Sequence, residues 1–139
     1  MVLVPTRVAP SGIHGNGLSA VEAIPRGTPF YRFAPGFDRT FTAVEVAALP
    51  EPARSHIRHF AYFDHATGNA VLSGDHACFM KHSPTPNTGA PPDAVSLVTT
   101  LALRDIAAGE ELTCDYRAFD ADAAVKLGLV PRDTPRATR

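Results

Sequence analysis

Six histidines and two cysteines are the side chains of this 139-residue sequence most able to bind a metal or attack a substrate. His56, His59, His65, His76 and His82, with Cys78, offer the nitrogen and sulfur donors that hold zinc. Only His56 and His59 have a helical spacing that puts both on one face, and no carboxylate or cysteine sits at a companion spacing. Solvated histidines on a short helix are expected there, and no metal. Cys114 has the chemistry of a nucleophile, but no base is placed beside it by the sequence. A buried small residue is the commoner role for a free cysteine. Tyr116, taken alone, reads as a core tyrosine with its hydroxyl satisfied by backbone.

"GNGLSA", from Gly15, fits G-x-G-x-x-A, with Asp38 at a distance suited to a ribose. A helix opening there would meet Pro25 and Gly27 after about three turns, and no βαβ unit follows. A glycine turn that lets a ligand approach the backbone is the expectation. The densest chemistry lies in "CFMKHSPTPN", residues 78–87, where Lys81 stands beside His82 and two prolines follow.

Thirteen prolines and ten glycines cut the chain into short pieces, which favours short strands over long helices. "LVPTRVA" and "PFYRF" read as strands, with "GLSAVEAI" leading to a turn at "PRGT". In "FTAVEVAALP", Thr42 and Glu45 form a capping box, Phe41 and Val46 occupy staple positions, and Pro50 closes the helix. A second short helix is expected from Pro52 to about His59. "FAYFD" and "NAVLS" flank a turn at "HATG", as in a hairpin. "SPTPNTGAPP" is turn chemistry, "AVSLVTTLAL" a buried strand, and "ELTCDY" a last strand. Alternation in that strand puts Leu112, Cys114 and Tyr116 on one face. The sequence predicts a mainly β fold with short α insertions, one domain over 1–130 and a flexible tail, 131–139.

Composition narrows the function. A net charge of −1 argues against a partner held by its phosphates, so no direct nucleic acid is expected. Two cysteines without a C-x-x-C pair imply free thiols in a reducing compartment. No signal peptide and no membrane span are visible, and a cytoplasmic protein is expected.

Taken together and in order, the pieces resemble a SET domain, the fold of a large class of protein-lysine methyltransferases. "SGIHGNGLSAVEAIPRGTPF" is similar to the family's opening G-x-G turn and following "I-x-x-G". "GDHACFMKHSPTPN" resembles its central "G-N-x-A-R-F-x-N-H-S-x-x-P-N". "ALRDIAAGEELTCDY" resembles its closing "A-x-R-D-I-x-x-G-E-E-L-T-Y-D-Y". The likeness runs from about Val8 to Phe119. It implies a β-clip-like fold with a knot-like C-terminal threading, and methyl transfer from the cofactor S-adenosylmethionine to a lysine side chain of a protein substrate. Tyr116 matches the catalytic tyrosine. Gly15, Asn16, Gly17 and Leu18 match the segment that wraps the cofactor's methionine part. Phe79, Lys81 and His82 match its pocket, with the His82 backbone reading the adenine. Tyr62, Cys114 and Phe119 are assigned to the substrate channel.

The departures carry expectations of their own. Cys78 and Lys81 stand where the family has arginine and asparagine. A charged lysine accepts no hydrogen bond. About 4 Å from the cofactor's ammonium, it would cost up to ~4 kcal/mol at an effective dielectric of 20. Lys81 escapes by snorkelling to solvent or by pairing with the cofactor's carboxylate. Cys114 replaces a larger aromatic residue, which widens the channel toward higher methylation states. No cysteine cluster follows Tyr116, so Phe119, the segment up to Val130, or the second copy in a homodimer must finish the pocket. Glu110, Glu111, Asp120 and Asp122 are the acidic residues available to a basic substrate. The competing reading is a catalytically weak or inactive SET module that serves as a protein-binding scaffold.

Overall fold

The computed structural model describes residues 1–91 and 99–131. β1 (Thr6–Pro10) and β2 (Asn16–Ala20) form an antiparallel hairpin that pairs Val8 with Leu18. The first strand starts at Thr6 rather than Leu3, because Pro5 has no N–H to contribute to a ladder. β3 (Pro29–Arg32) and β4 (Arg39–Phe41) precede α1 (Ala43–Ala48) and α2 (Glu51–Phe60). The capping box of α1 is complete: Thr42 Oγ1 accepts from Glu45 N at 3.2 Å, and the Glu45 carboxylate accepts from Thr42 N at 2.7 Å. α2 starts after Pro50 and extends to Phe60, one residue beyond each expected end.

The expected hairpin is present as β5 (Tyr62–Phe63) and β6 (Ala70–Leu72). β4, which no pattern announced, pairs with the other edge of β6. A 3-10 turn at His76–Phe79 then leads to β7 (Lys81–His82) and β8 (Thr88–Gly89). β8 lies inside the stretch read as turns alone. β9 (Thr99–Ala102) joins β3 and β8 in one sheet. The remainder of that expected strand, 94–98, lies outside the described residues, as does 132–139 of the expected tail. β10 (Thr113–Cys114) pairs in parallel with β7. Tyr116 opens a second 3-10 turn, Tyr116–Ala118, so strand alternation stops at Cys114. α3 (Ala123–Lys126) follows.

The larger core joins Leu18, Ala20, Phe30, Ile106 and Leu112, and a second cluster joins Ile57, Ala61, Phe63 and Ala70. β2 is zipped to the closing motif by Leu112 N to Leu18 O (2.7 Å) and Ala20 N to Glu110 O (3.0 Å). Glu111 reinforces this, accepting from Ser11 Oγ at 2.6 Å and Gly12 N at 3.0 Å. A Cβ on Gly17 would lie 2.3 Å from that carboxylate, so the second glycine of "GNG" makes room for Glu111. Gly15 has φ +57°, the left-handed turn that favours glycine.

Asn87 ties the central motif to the closing one. Its side chain is 2% exposed, donates to Glu111 O (2.8 Å) and Glu110 Oε1 (3.1 Å), and accepts from Thr113 N (2.8 Å). The Arg104 guanidinium, the main cause, and the Ala107 amide hold the Glu110 carboxyl down at about 2, from an ordinary 4.5. Because the folded value is depressed, its stabilisation is present above pH 4.5 and lost as pH falls toward 2. Urea midpoints are expected to drop across that window, and to drop less steeply in Arg104→Gln. An equal slope in the two chains would remove this ion pair from the acid response.

Candidate active site

Burial and short elements bring the chemistry-bearing residues of three distant segments to one place. A cavity of about 120 Å³ is walled by Tyr31, Phe60, Tyr62, Cys78, Cys114, Tyr116 and Phe119, with Asp120 and Lys126 beside them. The Tyr62 and Phe119 rings meet edge to face at 5.2 Å, and Phe119 stands 6.2 Å from Tyr116. A second cavity, about 410 Å³, is bordered by Gly15, Asn16, Arg58, Phe79 and Lys81. Its size falls within the ~300–1,000 Å³ usual for small-molecule sites. His59, Phe60, Cys78, Tyr116 and Lys126 belong to both walls.

Tyr116 is fixed at this junction from two sides. Its hydroxyl donates to Met80 O at 2.6 Å, and its backbone N–H donates to His82 Nδ1 at 3.2 Å. The same Nδ1 lies 3.4 Å from the Asp115 carboxylate, and the His82 ring lies 5.5 Å from that of Tyr116. Burial pushes the Tyr116 hydroxyl well above the ordinary tyrosine range, and pushes Tyr62 up to about 12. The same cause raises the Cys114 thiol to about 12 and lifts Cys78. Both thiols stay protonated at neutral pH, so neither is an activated nucleophile.

The expected site residues divide by position. Gly15, Asn16, Phe79 and Lys81 border the larger cavity; Tyr62, Cys114 and Phe119 border the smaller; Tyr116 borders both. Gly17 and Leu18 are buried behind the turn, where Leu18 is core and Gly17 packs on Glu111. His82 is behind Tyr116 rather than in either wall. The central motif reaches this place by its parallel pairing with the closing one, sealed by Ser83 N to Cys114 O at 3.0 Å.

A SET domain model matches residues 15–117. The chain belongs to the SET-domain family. No curated protein matches it in sequence. Among solved structures, the SET domain is similar to a humanized mutant of the Chaetomium thermophilum Polycomb Repressive Complex 2 bound to an inhibitor, at 21% identity and a TM-score of 0.61 over 87% of this chain. It resembles the apo form of the same complex, with substitutions in Ezh2, at 20% identity and a TM-score of 0.62 over 89% of this chain. In both cases it spans only 16% of the larger chain. A Plasmodium falciparum protein described as a "putative histone methyltransferase" gives 15% identity and a TM-score of 0.57, over 83% of this chain and 95% of the other. These likenesses establish the fold, mainly β with a few short helices.

Several wall residues of this SET domain are placed at the cavities by no sequence signal. His59 reads from sequence as a solvated helix histidine and Phe60 as the start of a strand, Asp120 is expected only as an acidic residue for a basic substrate, and Lys126 follows the last motif in a segment without strong patterning. Among the described residues no three His, Cys, Asp or Glu side chains cluster as a metal site. No described helix is long and apolar enough to cross a membrane.

Proposed function

We propose that this SET domain transfers a methyl group from S-adenosylmethionine to a lysine amine of a protein substrate, with the larger cavity for the cofactor and the smaller for the lysine. The observation that carries this is the place of Tyr116, in the one wall where a glycine-turn cavity and an aromatic channel meet. When bound, the cofactor supplies an electrophilic methyl on a positively charged sulfur.

The chain's own residues do the rest. A free lysine is neutral only about one time in a thousand near neutral pH. Tyr62, Phe119 and the un-ionised thiol of Cys114 offer the ammonium little solvation, which lowers its pKa and favours the nucleophilic amine. The Tyr116 proton is committed to Met80 O, which leaves the hydroxyl lone pairs to face the meeting point and orient the amine. Cys114, smaller than an aromatic residue, leaves room there for an amine that already carries methyl groups.

The larger cavity fits such a cofactor in its donor set. Gly15 shows nothing within 4 Å of an added Cβ, so its backbone is open to a ligand. The basic wall residues Arg58 and Lys126 are paired with Glu51 and Asp120, whereas Lys81 has no ion-pair partner among the described residues. Its ammonium is assigned to the cofactor's carboxylate. At ~4 Å and an effective dielectric of 20, that attraction is worth up to ~4 kcal/mol, and solvent exposure reduces it. Lys81→Asn is expected to weaken binding of S-adenosylmethionine and its demethylated product by about tenfold in calorimetric titration. Unchanged or tighter binding would remove Lys81 from this role.

The deciding experiment is transfer of labelled methyl groups into cell-lysate proteins, with calorimetry of both cofactor forms beside it. Labelled lysine in a substrate protein is the expected result. Millimolar or absent binding of both forms, with no label transferred, would favour the scaffold reading.

A further inference from the structure

Asp120 is the one carboxylate in the walls of the two cavities among the described residues. It is 2% exposed, and its Oδ1 accepts from the amides of Phe63 and Asp122, each at 3.0 Å. Oδ2 is left for Lys126, which reaches back from α3, donates also to Ala61 O at 2.6 Å, and lies 5.6 Å from the centre of the Phe63 ring. Left unpaired, the charge of Asp120 would be felt across the channel. It adds to burial in raising Tyr62, Cys114 and Tyr116, and Lys126 opposes it at Cys114.

A bare carboxylate in the channel would capture an arriving lysine as its ammonium and hold the proton on it. Paired with a cation, the same carboxylate does neither. The other titratable groups facing the channel are Tyr31, Tyr62, Tyr116, Cys78 and Cys114, all raised by burial and hence neutral, together with His59. His14, Arg58 and Lys81 face the larger cavity. The balance of charge in the channel therefore turns on one pair.

We propose that Lys126 is a positioning residue that cancels the charge of Asp120 in the channel wall, so that a substrate amine meets no anion and can shed its proton before methyl transfer. This rests on the methyltransferase reading. The pair also fastens the turn after Tyr116 to β5, where Ala121 N donates to Phe63 O at 2.7 Å.

The test titrates n-butylammonium, a mimic of the lysine side chain, into the full chain without cofactor. It compares the unaltered protein, Lys126→Gln, Lys126→Arg, and Lys126→Gln combined with Asp120→Asn. Glutamine keeps a donor toward Ala61 O and removes the charge; asparagine keeps the Oδ1 acceptor. Lys126→Gln is expected to bind the probe at least tenfold more tightly, and the other two variants to return to the unaltered affinity. In methyl transfer, the rising limb of the kcat/KM profile moves up by about one pH unit in Lys126→Gln alone. Asp120→Asn by itself gives the opposite sign, weaker probe binding, and serves should the glutamine variant melt. Equal probe binding in all folded variants overturns the proposal, as does tightening that persists in the double variant. A chain that transfers no methyl yet follows the probe series sinks the methyltransferase reading and leaves the channel electrostatics standing.

Discussion

A Tyr116→Phe variant is expected to transfer methyl groups about 10²–10³-fold more slowly than the unaltered chain, the loss typical of removing one pre-organised polar group from a transition state. The ring still packs 5.5 Å from His82 and 6.2 Å from Phe119, and the backbone bond to His82 Nδ1 is untouched. Cofactor affinity should therefore stay within a few-fold, and the defect should fall on kcat. One structural cost accompanies the change: Met80 O loses its 2.6 Å donor in a partly buried position, worth about 1 kcal/mol of stability. Single-turnover rates with a saturating methyl donor separate the two effects. A phenylalanine variant that keeps a third of the rate would mean the hydroxyl does not face the reacting atoms.

The second large effect concerns Asn87. Changing it to aspartate removes a donor from Glu111 O and sets a carboxylate against Glu110 Oε1, now 3.1 Å from the amide nitrogen. Two like charges at that distance, in a residue 2% exposed, should destabilise by about 3–5 kcal/mol. For a domain of this size the melting point should fall by about 10–20 °C. The defect should shrink near pH 4, where the new aspartate takes up a proton and can donate again while Glu110, held at about 2, remains ionised. A melting point within 3 °C of the unaltered chain at pH 7 would show that Asn87 does not hold the two motifs together.

The local elements were readable wherever a residue acts on its own neighbours. The Thr42–Glu45 capping box needs only four consecutive residues, and it formed as spaced. The β5–β6 hairpin follows from apolar runs around one glycine-containing turn. The failures occur where partners lie far away. β4, β7 and β8 have two or three residues each, and their pairing is set by strands up to thirty-odd positions distant; the last strand was expected, but only Thr113–Cys114 of it pairs. Alternation through "ELTCDY" put Cys114 and Tyr116 on one face. Both do border the smaller cavity, but by way of a 3-10 turn and not a continuing strand.

The site divides in the same way. The resemblance singled out the residues around Tyr116 because three motifs occur in order at suitable distances. Gly17 illustrates its limit: the motif gives the glycine, whereas its packing reason, the Glu111 carboxylate 2.3 Å from an added Cβ, appears only in three dimensions. Asp120 and Lys126 belong to no motif. Their pairing depends on α3 folding back to Ala61, a contact across 65 positions that no local pattern encodes.

The bond from Ser11 to Glu111 joins residues 100 positions apart, and Gly12 is held by the same side chain. The glycine turn that would face a methyl donor is thus clamped by the third of the three motifs. Such high contact order makes for slow folding. During vectorial synthesis the nascent chain would carry the "GNG" loop unclamped until residue 111 clears the ribosome, so ligand competence should switch on late and abruptly.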